Sequence, residues 1–209
     1  TLQQSDNSIV KIIKSCDCKE CSVKDLNKVI EVPIGQCVGK CQNFEPNKKC
    51  ISGINDSFII SNQIELSNPS QLLIDGILNG CSAGIQPGYD IFANDRCFGH
   101  TFTNCFIKTE CSLKFAKLEF CLKAADVPLT STDSLILGTN GNSLWGKSLV
   151  SLNGHWNRHD VLCGTLDLND LPIDNLSILN EIQSYGHLDV VVQDDTAVDF
   201  LNLYLEYDN

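Results

Sequence analysis

The reactive groups of this 209-residue chain are its twelve cysteines. The stretch CDCKECSVKDLNKVIEVPIGQCVGKC holds Cys16, Cys18, Cys21, Cys37 and Cys41, and Cys50, Cys81, Cys97, Cys105, Cys111, Cys121 and Cys163 follow. Thiolates at such spacing ligate zinc in a reducing compartment and close disulfides in an oxidising one. A zinc cage wants paired C-x2-C or H-x3-H units, and only Cys18 and Cys21 form a C-x2-C. An even count at irregular spacing points instead to disulfides, and so to a secreted, extracellular chain. The sequons Asn55-Asp56-Ser57 and Asn175-Leu176-Ser177 point the same way and make Asn55 and Asn175 candidate glycosylation sites.

Oxygen ligands come next. DLNDLPID groups Asp167, Asn169, Asp170 and Asp174, and QDDTAVD groups Asp194, Asp195 and Asp199. These are hard donors of the kind calcium takes, although neither stretch follows an EF-hand loop and turns or helix caps use the same residues. HWNRHD sets His155 and His159 at metal spacing, but the LNG before it places it in a loop, where the two rings need not share a face. Trp145 and Trp156 lie among glycine and asparagine, where an exposed indole could stack on a sugar; core packing is the competing use. A carboxylate pair such as Asp160 and Asp195 could serve hydrolysis, yet there is no G-x-S-x-G, reactive Cys–His pair or phosphate loop. The expectation is a protein that is not an enzyme, with no cofactor unless calcium.

The elements that position these groups follow from charge and periodicity. Residues 1–124 carry 13 basic and 13 acidic side chains, whereas residues 125–209 carry 2 and 13 and hold the whole net charge of −11. An acidic half repels phosphate backbones, so no nucleic-acid partner is expected. The apolar runs are a few residues long, far below the roughly 20 that span a bilayer, so no membrane span is expected. A chain that starts at Thr1 and contains no methionine is read as a processed, mature form.

Three regions result: an arm at 1–15 with Ile9, Val10, Ile12 and Ile13 at its centre; a cysteine-rich β region at 16–111; and an acidic β-sandwich at 112–209. Within the second, KVIEVPI, DSFIISNQIEL, SQLLIDGI and FIKTEC read as short strands. In LKFAKLEFCLKAA, Ala116, Leu118, Phe120, Leu122 and Ala124 alternate with polar neighbours as in a half-buried strand. DVLCGTLDL puts Leu162, Leu166 and Leu168 on one face and Cys163 on the other. DNLSILNEIQSYG reads as one short helix with Asp174 as N-cap, Leu179 and Ile182 inward and Gly186 as stop. HLDVVVQ, DDTA and VDFLNLYLEY read as a hairpin burying Leu201, Leu203 and Leu205, and GTNGNSLWG reads as a loop. The fold class is therefore mainly β: a disulfide-rich N-terminal region plus an antiparallel, jelly-roll-like sandwich.

Two family resemblances attach to these residues. Residues 112–207, whose last strand carries Asp199 ahead of an apolar stretch, resemble the jelly-roll binding modules of secreted adhesion and carbohydrate-binding proteins. That implies a binding role. CVGKC, Cys37 to Cys41, resembles the C-x-G-x-C of cystine-knot growth factors, but the C-x-C that should come late stands early here, at Cys16 and Cys18. The expected function is a secreted structural or adhesive interaction protein that binds an extracellular protein or assembles with itself. A lectin-like glycan binder using Trp145 and Trp156, and a cystine-knot-like signalling ligand, are the alternatives.

Overall fold

The computed structural model describes residues 47–60, 65–69, 81, 83–92, 95–103, 105–106, 111–125, 133–171 and 177–208. The arm at 1–15, Cys16, Cys18, Cys21, Cys37, Cys41, Asp174 and Asn175 lie outside the described residues, as do KVIEVPI, SQLLIDGI and most of FIKTEC. The strands are β1 (Asn47–Gly53), β2 (Phe98–Phe102), β3 (Leu113–Ala124), β4 (Ser134–Thr139), β5 (Asn142–Ser148), β6 (Val161–Asp167), β7 (Leu188–Gln193) and β8 (Thr196–Tyr207). Two short helices, α1 (Leu149–Asn153) and α2 (Ile178–Tyr185), sit between them.

The strands form two four-stranded sheets in the orders β1-β8-β3-β6 and β2-β7-β4-β5, with every pairing antiparallel. β4 pairs with β5, β3 with β6, β2 with β7 and β1 with β8, so the eight strands make one long hairpin rolled into two layers. This is the jelly-roll arrangement. Strands from the expected cysteine-rich region, β1 and β2, supply an edge of each sheet, so the sandwich draws on residues on both sides of the 111/112 boundary.

Alternation dictates the core. Leu118, Phe120 and Leu122 of β3 and Leu201, Leu203 and Leu205 of β8 are all at most 3 % exposed. Leu135 and Leu137 of β4 and Leu188, Val190 and Val192 of β7 supply the other sheet's share of the core, each fully buried. Burying a side chain of this size stabilises by about 1.5–3 kcal/mol, so the pattern fixes which face turns inward.

Helix α2 matches the expected one: Leu179 and Ile182 are buried, and Gly186 at φ 71° ends it by donating its N–H to the Ile182 carbonyl. Its N-cap is Ser177 and not Asp174. GTNGNSLWG is not a loop. Asn140 (φ 50°) and Gly141 (φ 80°) make a two-residue turn that pairs β4 with β5, because both left-handed positions suit the twist of a tight hairpin.

The expected 188–207 hairpin is also corrected. β7 is buried on both faces and lies between β2 and β4, while the alternating β8 lies between β1 and β3. Asp194, at φ 67°, carries the chain from one sheet to the other. DSFIISNQIEL is no strand where it is described, since Ser57 and Phe58 take φ values of 68° and 64° that an extended chain cannot hold. Among the described residues no helix is long and apolar enough to cross a membrane.

Candidate functional site

The described cysteines are all oxidised. Cys50 bonds Cys105, Cys81 bonds Cys97, Cys121 bonds Cys163, and Cys111 is disulfide-bonded as well. The first two bonds are buried, and Cys81–Cys97 packs on Val191 with Ile85 and Ile136 against it. The third differs. Cys121 and Cys163 are direct cross-strand partners on β3 and β6, both on the face turned away from the core. Cys163 is exposed, as its strand position requires; Cys121 is outward too, yet only 4 % exposed.

The reason is the loop after β1. Asn55, Ser57 and Phe58 line a groove of about 330 Å³ together with Cys121, Cys163 and Lys123. Asp199, Phe200 and Val161 complete it. Its geometry starts at β8, where the register against β3 jumps from Cys121↔Phe200 to Leu122↔Val198 and leaves Asp199 without a partner. This is a β-bulge, which re-aims the side chain it carries. Asp199 Oδ1 then accepts the backbone N–H of Asp56 at 3.2 Å and of Phe58 at 3.5 Å, holding the loop across the outer face.

Gly53 permits this path. It has φ 80°, and a Cβ there would stand 2.5 Å from the Asp199 carbonyl oxygen and 2.7 Å from the Tyr89 ring. Only a residue without a side chain lets β1 end and turn at this point.

A third segment adds Asp90, whose N–H donates to the Val198 carbonyl at 2.9 Å. Carboxylate oxygens of Asp56, Asp90 and Asp199 lie within 4.8 Å of one another. Burial, and then the charges of Asp56, Asp199 and Glu65, push the Asp90 carboxyl up to about 7. Asp90 Oδ1 is buried with no hydrogen-bond partner. Three converging carboxylates, one of them under-solvated, form a cage of hard oxygen donors suited to a divalent cation such as calcium.

A second trio, Asp95, Asp194 and Asp195, gathers at the β7–β8 turn, where Asp195 Oδ1 accepts the Asp95 N–H at 2.9 Å. Burial first, then Asp195 and Asp133, raise the Asp194 carboxyl above its ordinary range. The acidic stretch at 194–199 is thus split between two sites, each completed by residues about 100 or more positions away. Asp56, Asp90 and Asp95 escaped the sequence reading because nothing local marks them as neighbours of β8.

The other candidates are used structurally. Asp167 Oδ1 accepts the Asn169 N–H at 2.9 Å, while Asn169 bonds the backbone of Ala116 and Lys114 at 3.2 and 2.9 Å. Asp170 joins no ligand cluster among the described residues. Both indoles are buried, Trp145 at 6 % and Trp156 at 5 % exposure, so neither offers a face to a sugar. Trp156 Nε1 instead donates to buried Asp133 Oδ2 at 2.8 Å, which also takes the Thr196 hydroxyl at 2.8 Å. His155 and His159 lie in a loop, with His155 Nε2 3.7 Å from Asp160. Asn55 is exposed at the mouth of the groove, so its side chain is accessible for glycosylation.

The sequence matches no protein-family model, and no curated protein resembles it at a significant level.

Proposed function

We propose that the protein is a secreted, disulfide-stapled interaction module that binds a protein surface, including another copy of itself, through the groove end of the β1-β8-β3-β6 sheet. The observation that carries this reading is the apolar rim of the groove. Lys123 Nζ lies 5.6 Å from the Phe58 ring centre and 5.8 Å from that of Phe92, and Val161 is its cross-strand partner. Phe92, Val161, Ile59 and Ile60 are 42, 50, 64 and 71 % exposed. Single exposed apolar residues are ordinary, but Phe92 and Val161 beside one cation, with Ile59 and Ile60 directly following Phe58 in the chain, have the composition of a docking surface. Oxidised cysteines support an extracellular setting.

Calcium at Asp56, Asp90 and Asp199 would serve this role by fixing the loop that forms the groove's wall.

Light scattering and lysine cross-linking of unreduced native material test the proposal together. The expected result is a homo- or hetero-complex with intermolecular links from Lys123, lost in the Ile59→Lys/Ile60→Lys variant. A strict monomer with no such link refutes it.

A further inference from the structure

The Cys121–Cys163 bond differs from the other two placed disulfides in access and setting, and these point beyond a staple. Cys50, Cys105, Cys81 and Cys97 are 8, 7, 1 and 0 % exposed, so no external sulfur can reach them without local opening. Cys163 is exposed on an edge strand and forms part of the groove, whereas Cys121 is 4 % exposed behind it. Of the two cysteines, Cys163 is therefore the more open to an external sulfur, although both line the groove. Lys123 follows Cys121 by two residues on the same strand face and lines the same groove. A cation there favours a departing thiolate.

We propose that this bond is a thiol–disulfide exchange site. A thiolate from a cysteine-containing molecule attacks Cys163 Sγ, the Cys121–Cys163 bond breaks, and Cys121 leaves as the thiolate. The product is a mixed disulfide on Cys163 with no net oxidation or reduction, and return attack by Cys121 on Cys163 Sγ expels the incoming thiol and restores the bond. The fold outlasts the exchange because β6 stays paired to β3 from Lys117↔Asp167 to Lys123↔Val161 through the backbone. The inference does not depend on the docking proposal: a strictly monomeric protein could still carry it.

The probe is reduced glutathione on the native, unreduced protein, followed by acid quenching, alkylation and peptide mapping. The expected outcome is a glutathione adduct on Cys163 and an alkylated Cys121, formed at least about ten-fold faster than opening of the two buried bonds. The rate should rise in proportion to thiolate concentration, because attack is direct and does not wait for unfolding. Lys123→Gln should slow it several-fold at unchanged melting temperature, while Lys147→Gln, on β5 of the other sheet, should not. Free cysteine as a second probe should give the same Cys163 adduct, whereas a high-mass adduct in untreated material would identify a protein thiol as the natural partner. An adduct on Cys121, simultaneous loss of the Cys121–Cys163 bond and the two buried bonds, a rate that plateaus with thiol concentration, or no reaction without denaturant would overturn the proposal.

Discussion

Replacing Asp90 by Asn should stabilise the protein at alkaline pH and abolish part of its response to calcium. In the folded protein Asp90 lies with Asp56 and Asp199, their oxygens within 4.8 Å of one another. A pair of unit charges at that distance repels by about 1 kcal/mol at the dielectric of water and about 3.5 kcal/mol at an effective dielectric of 20. Asp90 is partly exposed, so the solvent-screened end applies, and two neighbours give about 2 kcal/mol. For a domain of this size that corresponds to a rise in Tm of roughly 4–8 °C.

The sign follows from linkage. Folding raises the Asp90 carboxyl from 3.8 to about 7, so the folded state binds the proton more tightly. Its stability is fully present below pH 3.8 and declines as pH rises towards and through 7. Burial pushes the His100 imidazole down to about 4, which acts oppositely between pH 4 and 6.5. Wild type minus variant cancels that contribution. Thermal unfolding in chelator at pH 4 and pH 8 should therefore show a gain for Asp90→Asn at pH 8 that vanishes at pH 4. In millimolar calcium at pH 8 the order should reverse, since wild type gains a ligand that binds only the folded state. Equal melting temperatures at pH 8, or a gain that persists at pH 4, would refute the assignment of charge repulsion to this trio.

Three further outcomes can be measured by denaturant or thermal unfolding. Cys121→Ser/Cys163→Ser frees two residues 42 apart in sequence, and chain entropy puts the loss at about 4 kcal/mol; the variant should remain folded, and a loss under 1 kcal/mol would show that the β3–β6 ladder already restrains the unfolded chain. Trp156→Phe removes the indole donor from buried Asp133 and should cost about 1.5–3 kcal/mol, whereas an unchanged midpoint would mean that Asp133 finds another donor. Gly53→Ala forces a Cβ towards the Asp199 carbonyl at φ 80° and should destabilise by at least about 1 kcal/mol while weakening the calcium response; a neutral result would remove Gly53 from the account of the loop.

Local patterns are what the sequence by itself determined. A period of two from Ala116 to Ala124 and from Leu201 to Leu205 decides which side chains face inward, because a slip of one residue would expose every one of them. The same alternation turned Cys121 and Cys163 outward, and Gly186 stopped its helix, since these outcomes depend on neighbours within a few residues.

Tertiary structure decided which strands pair and which distant loops meet. Sequence proximity suggested that β7 and β8 pair with each other, but β7 is buried on both faces and lies inside one sheet between β2 and β4, while β8, half-buried on one face, lies inside the other. The indoles looked free among small polar residues until β4 and the buried Asp133 carboxylate enclosed them. Asp199 looked like one more acidic residue in a run, and became the anchor of a groove only through a bulge in β8, a turn at Gly53 and the arrival of Asp56 and Asp90. Contacts across 100 or more residues depend on how whole layers stack, and no local period encodes that.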